Sequence, residues 1–187
     1  MKWDRMTRME AGGVLFCGLA APLLYFAYRW TGGAVWAALV SCANQSVWEL
    51  SKMITVPYCL WAVLEFFWLH PPIKRYTVAK TLGLAACVGG MVALSYTMAG
   101  IVGYPVPAVE IATAAVLAAF GHLLAVRLMR SARKLDGWFT VAVFSLILLV
   151  VMYLSFTVNP PRINLFLDPN TGGYGIPWIS RQFSAPV

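Results

Sequence analysis

The stretch GWFTVAVFSLILLVVMYLSFTV, residues 137–158, contains no charged side chain. A helix needs about 20 predominantly apolar residues to cross a hydrocarbon core about 30 Å thick, and this stretch has that length and composition. Four further stretches share both properties, namely residues 11–30, 44–70, 77–102 and 106–129. The sequence therefore predicts an all-α protein, a polytopic transmembrane helix bundle of five spans that occupies residues 1–158.

The overall composition supports a membrane protein over a soluble one. Of the 187 residues, 60% are hydrophobic and 11% are charged, whereas soluble domains carry roughly 25% charged residues. A soluble fold of this size could not bury so much apolar surface. The net charge of +7 would suit nucleic acid, but cationic loops held against anionic lipid headgroups explain it better. The predicted partner is therefore the lipid bilayer and not nucleic acid.

The basic residues predict an orientation in the membrane. Ten of the 14 Lys and Arg residues lie in the N-terminal segment and in two loops, around residues 74–80 and 127–134. Five spans place these three segments on one side, and lysine and arginine favour the cytoplasmic side. We therefore expect a cytoplasmic N-terminus and an extracytoplasmic tail, residues 159–187.

Two segments are predicted to be irregular. Residues 33–43 are too few to span a membrane, so they predict a short interfacial or re-entrant segment. The tail contains five prolines, which exclude a long helix, yet it is too rich in aromatic and aliphatic residues for a disordered segment. We expect an ordered irregular tail, in which residues 161–179 cap the outer mouth of the bundle and residues 170–173 form a turn.

The motif NQSVWELSK, residues 44–52, places a carboxylate and an ammonium at the head of the second span. Asn44, Trp48 and Lys52 recur every four residues and share a helix face, and Glu49 can pair with Lys52 three residues later. A charge inside a membrane is costly and usually faces the bundle interior or a wet cavity. We therefore expect that neither charge faces lipid. Two interpretations remain open: a polar pocket, or a structural clamp that fixes the helix register.

Further polar residues are predicted at the same outer level. With Glu49 and Lys52 they define a candidate outward-facing binding pocket: Asn44, Trp48, Glu49, Lys52, Tyr96, Glu110, Arg162 and Asp168. The alternative for Glu110 is a solvated residue at a helix start, where the helix dipole favours a carboxylate. Tyr104 also flanks this outer turn.

The other end of the bundle offers weaker candidates. Glu65 is predicted to pair with Lys74 or Arg75, and His122 is either a hydrogen-bonded packing residue or a proton relay. Two distant histidines predict no metal site. The four cysteines, Cys17, Cys42, Cys59 and Cys87, form no Cys-x-x-Cys and are predicted to be buried small hydrophobes. No catalytic residue and no cofactor can be named from the sequence.

Two blocks carry a resemblance to a known family. NQSVWELSK and the tail NPPRINLFLDPNTGGYGI, residues 159–176, resemble an uncharacterised, domain-of-unknown-function family of small bacterial polytopic membrane proteins. That family has approximately the pattern Asn-x-Ser-Val-Trp-Glu-His-x-Lys, in which Asn-x-Ser-Val-Trp-Glu-x-x-Lys matches this sequence, and a late Pro-Pro-x-x-x-Leu-Phe-x-Asp-Pro. The sequence departs from it at Leu50, where the family tends to have histidine. The resemblance implies a bacterial inner-membrane protein with a polar site, and it implies no activity.

Three functions remain open at this point. The favoured one is a solute- or ion-handling membrane protein with an outward-facing polar pocket around Glu49 and Lys52. The second is a small structural subunit of a larger membrane complex, or a homo-oligomer, which docks through its tail. The third is a membrane enzyme that modifies a lipid or isoprenoid from the outer leaflet, with Glu49 or Glu110 as acid/base. It is the least favoured because the familiar catalytic motifs are missing.

Overall fold

The computed structural model describes residues 2–103, 106–132 and 134–177, with side chains from residue 5 onward. Tyr104 and Arg133, which entered the predictions above, lie outside these residues, as do the last two residues of the predicted cap. Statements about the fold below refer to the described residues.

Five long helices form the bundle. They are α1 (Lys2–Trp30), α4 (Lys52–Leu69), α5 (Ile73–Val102), α6 (Pro107–Arg130) and α7 (Phe139–Val158). Two short helices, α2 (Val35–Val40) and α3 (Val47–Leu50), lie between α1 and α4, and short 3-10 turns cover Asp136–Trp138 and Asn164–Phe166. The stretches Arg5–Trp30, Val47–Leu69, Ile73–Val102, Pro107–Arg130 and Asp136–Val158 are long and apolar enough to cross a membrane. The predicted polytopic helical bundle is confirmed.

The connection between α1 and α4 is irregular because its sequence stops one helix and starts two others. Gly32 and Gly33 adopt φ angles of 67° and 82°, a left-handed conformation that ends α1. The Ser46 hydroxyl accepts a hydrogen bond from the Glu49 N–H and so caps α3. Ser51 then joins α3 to α4 in a helical conformation, so α3 and α4 together form one span.

Helices α1, α4, α5 and α6 surround the core, and α7 packs on α5 at the outside. Close packing of α5 on α6 depends on small residues: a Cβ on Gly83 would lie 2.7 Å from the Gly121 carbonyl oxygen. Helix α7 exposes large apolar side chains such as Phe144 and Leu148. In a bilayer this surface faces the acyl chains.

The tail folds back against the end of the bundle that carries α2 and α3, called the tail end below. Leu167 pairs with Tyr174 in an antiparallel bridge, and the Asp168 N–H donates to the Gly173 carbonyl at 2.9 Å. Phe166 and Ile176 are buried at 4% and 1% exposure. The tail is therefore ordered and irregular, as predicted, through residue 177.

Candidate functional site

A buried ion pair joins α3 and α4 at the tail end. Both carboxylate oxygens of Glu49 lie 2.8 Å from Lys52 Nζ. The ammonium also donates to the Ala38 carbonyl at 2.7 Å and to Thr157 Oγ1 at 2.6 Å. The Ala43 N–H donates to Glu49 Oε2 at 2.9 Å. We call Glu49, Lys52 and Thr157 the tail-end clamp.

The tail-end clamp satisfies its own charged groups and two neighbouring backbone groups. Lys52 has three N–H donors, and the structure supplies three acceptors for them. Two backbone groups of the irregular connection, at Ala38 and Ala43, gain charged partners in return. Irregular backbone within a membrane protein has to find such partners inside the protein. The geometry favours the clamp interpretation of this pair, and neither charge faces lipid, because Glu49 is 2% exposed and Lys52 0%.

The remaining candidate pocket residues lie around the tail-end clamp in separate settings. Asn44 donates through Nδ2 to the Gly175 carbonyl at 2.8 Å, which ties the motif to the tail. Trp48 packs between Tyr153 and Phe166, with ring centroids 4.7 and 5.3 Å away. Asp168 organises its own turn, since its carboxylate accepts from the Asn170 N–H at 3.1 Å and from the Thr171 hydroxyl at 2.7 Å.

Two cavities open at the tail end. Tyr96 and Glu110 line a cavity of about 160 Å³, in which the Ser95 hydroxyl donates to Glu110 at 3.1 Å. Asn44 and Asp168 line another of about 190 Å³. Trp48, Glu49, Lys52 and the exposed Arg162 line neither of them. The structure therefore divides the predicted constellation: Glu49 and Lys52 form the clamp, the two cavities take two residues each, and Trp48 and Arg162 belong to neither.

The opposite end of the bundle, called the N-terminal end, holds a second charged cluster. Lys80 Nζ on α5 lies 2.7 Å from Glu10 Oε2 on α1 and 2.5 Å from Glu65 Oε2 on α4. His122 Nδ1 on α6 lies 2.5 Å from the same Glu10 oxygen. All four side chains are buried, with exposures of 0–5%. We call Glu10, Glu65, Lys80 and His122 the four-helix cluster.

Two tyrosines and a cysteine surround the four-helix cluster. The Tyr76 hydroxyl lies 3.1 Å from Glu65 Oε2 and 2.7 Å from the Ala62 carbonyl. The Tyr58 ring lies beside His122 with centroids 4.5 Å apart and ring planes tilted by 40°. The far ring nitrogen of His122, Nε2, lies 3.6 Å from Cys17 Sγ. The groups that surround the cluster therefore lie on α1, α4 and α5.

Unlike the tail-end clamp, the four-helix cluster is incompletely satisfied. Glu10 Oε1 and Glu65 Oε1 are buried and have no hydrogen-bond partner among the described residues. With neutral His122, two carboxylates face one ammonium, so the cluster is one positive charge short of balance. One added proton, on the imidazole or on a carboxylate, would neutralise it.

A family profile matches residues 2–176, which include every residue of both clusters. The chain belongs to DUF6512, a family of unknown function. The resemblance to an uncharacterised family is thereby confirmed, while its bacterial origin stays an expectation. No curated protein and no solved structure matches the chain.

Close packing of α1 places Glu10 and His122 together. A Cβ on Gly13 would lie 2.5 Å from His122 Cε1 and 2.6 Å from Trp61 Cδ1. The Trp61 indole N–H donates to the Met9 carbonyl at 3.0 Å. The lack of a side chain at Gly13 therefore lets α1 lie this close to Trp61 of α4 and His122 of α6.

The sequence analysis did not identify the four-helix cluster as a unit. Glu65 was expected to pair with Lys74 or Arg75, but its partner is Lys80. Arg75 instead donates to the Met129 and Leu128 carbonyls at 3.0 and 3.2 Å, near the end of α6. Glu10 belongs to none of the motifs described above, although it continues a regular series on α1. Every buried position of that series follows the previous one by three or four residues: Met6, Glu10, Gly13, Cys17, Ala21, Tyr25 and Tyr28.

Proposed function

We propose that this protein is an ion-handling membrane protein whose ion is the proton, and that the four-helix cluster is the site that binds and releases it. The observation that carries the proposal is the unbalanced charge of that cluster, two carboxylates against one ammonium and one imidazole, all buried. Ionisable residues inside membrane helices commonly mark proton relays, and histidine changes its charge near neutral pH.

A bound proton would stabilise the closed site because it removes the charge imbalance of the four-helix cluster. A net charge enclosed in an apolar interior is unfavourable unless it is compensated. Protonation of His122 would let both ring nitrogens donate, Nδ1 to Glu10 and Nε2 to Cys17. Release of that proton would then require water, or a shift of a helix, to stabilise the charge left behind.

An apolar layer separates the site from the solution at the N-terminal end. Met6, Tyr76 and Met129 are buried in one hydrophobic cluster, against which Phe66 and Leu69 pack. Met6, Leu69 and Tyr76 each lie four residues, about 6 Å, closer to the helix terminus than the cluster residue on the same helix, and Met129 lies seven residues, about 10 Å, closer than His122. Phe66 directly follows Glu65 on α4. Access from the solution at this end therefore depends on movement within this layer.

Spectroscopy of the purified protein in lipid nanodiscs tests proton binding. Histidine labelled with ¹⁵N and infrared difference spectra would be recorded from about pH 8 to about pH 5, the range in which histidine titrates. We expect one proton to bind to the cluster, at His122 or at the carboxyl group of Glu10 or Glu65. The variants His122→Gln, Glu10→Gln and Glu65→Gln assign the spectral change to one of these groups. Spectra that show no protonation change at any of these groups would overturn the proposal.

Flux into liposomes tests proton handling itself. A trapped dye reports the pH of the liposome lumen while a potassium diffusion potential is imposed. The pH of this lumen should change faster in liposomes that contain the wild-type protein than in empty liposomes. Glu65→Gln should abolish the difference. Glu110→Gln is the matched control, since it removes another buried carboxyl, at the tail end, and should leave the flux intact. Equal flux through wild type and Glu65→Gln contradicts the proposal.

The outward-facing pocket is a second proposal. Its support is the cavity lined by Tyr96 and Glu110, in which a buried carboxyl has the Ser95 hydroxyl as its hydrogen-bond partner. Here the tail-end clamp holds the surrounding backbone and does not itself contact a solute. A loss of solute binding in Glu110→Gln, with intact proton flux, would favour this second site.

The proposed orientation puts the four-helix cluster near the cytoplasm of a bacterial inner membrane, because the basic loops share its end. Two single cysteines at exposed positions, Arg162→Cys and Lys134→Cys, test it. An impermeant maleimide should label the first in intact cells and the second only after lysis. The reverse pattern would invert the orientation.

A further inference from the structure

A side cavity of about 430 Å³ opens between α4 and α5, with Leu146 of α7 at its edge. Drug-sized ligands occupy pockets of about 300–1,000 Å³. Its walls are mainly apolar and aromatic, and include Ala62 and Phe66. Val63 and Phe67 also line it and are 55% and 66% exposed on the lateral surface. A molecule dissolved among the acyl chains could therefore enter from the side.

The floor of the side cavity is part of the four-helix cluster. Lys80, Tyr58 and Tyr76 line it, and Lys80 Nζ lies 5.3 and 5.5 Å from the centroids of the two tyrosine rings. Carboxylates accept two of the three ammonium N–H bonds of Lys80. The third has no acceptor among the described residues, so the floor offers a hydrogen-bond donor to a ligand.

Charge decides which ligands fit this floor. An anionic headgroup beside Lys80 would also lie near Glu10 and Glu65, whose two charges already outnumber the single ammonium. A cationic headgroup would meet Lys80 first, because neither glutamate lines the cavity. A neutral group that accepts a hydrogen bond avoids both repulsions, and a carbonyl is such a group. The aromatic walls favour a flat ring as its carrier.

We propose that the side cavity binds an isoprenoid-type quinone, a neutral ring with carbonyl acceptors and an apolar tail, through the free N–H of Lys80. The ring would lie against Tyr58 and Tyr76, and the tail would leave between α4 and α5 past Val63 and Phe67. This goes beyond proton handling, because binding involves no proton step, and either proposal can fail while the other stands.

Two probes on the wild-type protein test the recognition of the carbonyl. Decylubiquinone has a fully substituted ring that cannot alkylate the neighbouring Cys59, and decylbenzene has the same tail but no carbonyl. Binding to the protein in phosphatidylcholine nanodiscs would be measured by competition against a photoreactive azido-quinone. Decylubiquinone should compete about tenfold better, since one hydrogen bond to a charged donor is worth about a factor of ten or more. Equal competition means that the cavity holds any acyl chain, and it overturns the proposal.

Two cavity-filling variants locate the site. Ala62→Phe should fill the side cavity and lower quinone affinity by about tenfold or more. Ala85→Phe fills an adjacent cavity of about 310 Å³ between α5 and α7, whose lining residues include no ionisable group, and should leave the affinity unchanged. Size-exclusion profiles test whether both variants fold. If Ala62→Phe does not fold, mass spectrometry of the azido-quinone adduct on the wild-type protein locates the site instead. Labelling of Tyr58, Ala62 or Phe66 supports the proposal, and labelling confined to the α5–α7 cavity contradicts it.

Discussion

Each end of the bundle buries a lysine against glutamate, and the two clusters differ in how completely their polar atoms are satisfied. At the tail end, Lys52 has an acceptor for every N–H, and Glu49 accepts from both Lys52 and the Ala43 backbone. At the N-terminal end, Lys80 pairs with two carboxylates, and each has one oxygen without a hydrogen-bond partner among the residues that the structure describes. The same residue types therefore give a fully hydrogen-bonded clamp at one end and, at the other, an incompletely satisfied cluster, which is the site that we propose binds a proton.

Breaking the tail-end clamp should have the largest effect on stability. Lys52→Met leaves the buried Glu49 carboxylate without its ammonium, and removal of one partner of a buried pair costs about 3–5 kcal/mol. We expect a large loss of thermal stability in detergent, measured by the unfolding midpoint. The double variant Glu49→Gln/Lys52→Met should recover part of it, because no uncompensated charge remains. A double variant less stable than Lys52→Met would show that the pair is not the source of the loss.

Loosening the tail should have the next largest effect. Phe166 is 4% exposed and packs on Trp48 and Phe156, with centroids 5.3 and 5.2 Å away. Phe166→Ala should cost about 3 kcal/mol and speed hydrogen exchange across residues 164–177. Ile163→Ala is the control, because Ile163 is 55% exposed and its loss should change exchange little. Rapid exchange of this segment in the wild type would contradict the ordered tail.

A substitution that separates the helices around the four-helix cluster should have a smaller effect on stability. Gly13→Ala places a methyl group against His122 and Trp61, and such overpacking costs about 1–3 kcal/mol. The His122 ¹⁵N resonances should also shift as α1 moves away. Gly18→Ala is the matched control on the same helix, since nothing lies within 4 Å of its added Cβ. Equal stability and unchanged His122 resonances in both variants would refute the role of Gly13.

The two clusters also differ in how far the sequence alone could reveal them. Glu49 and Lys52 are three residues apart in one helical stretch, so local spacing was enough to predict their pairing. Glu10 is separated from Lys80 by 70 residues and from His122 by 112. Helical periodicity can show that each faces the interior, but only the packing of four helices selects which of them meet. The five spans were predictable because each depends on length and apolar composition within one segment.

The smallest expected effect on stability concerns Cys42, a residue that contacts the tail-end clamp but is not part of it. Its thiol donates to the Glu49 carbonyl at 3.2 Å, and burial raises the pKa of the Cys42 thiol above its ordinary value. The folded chain therefore keeps the proton where an unfolded chain, with a thiol pKa near about 8.5, loses it. That contribution to stability is fully present below about pH 8.5 and declines as the pH rises further. Alkylation at Cys42, followed by peptide mass spectrometry, should be slow in the native protein and fast in denaturant.

Lys52→Met should accelerate the alkylation of Cys42 because it opens the clamp, whereas Glu65→Gln, at the other end of the bundle, should not. If both variants raise the rate equally, the clamp and the four-helix cluster open together. The distinction between a stable tail end and a proton-binding N-terminal end would then be wrong. If only Lys52→Met raises the alkylation rate, the two ends open independently, and alkylation of Cys42 measures the opening of the tail end.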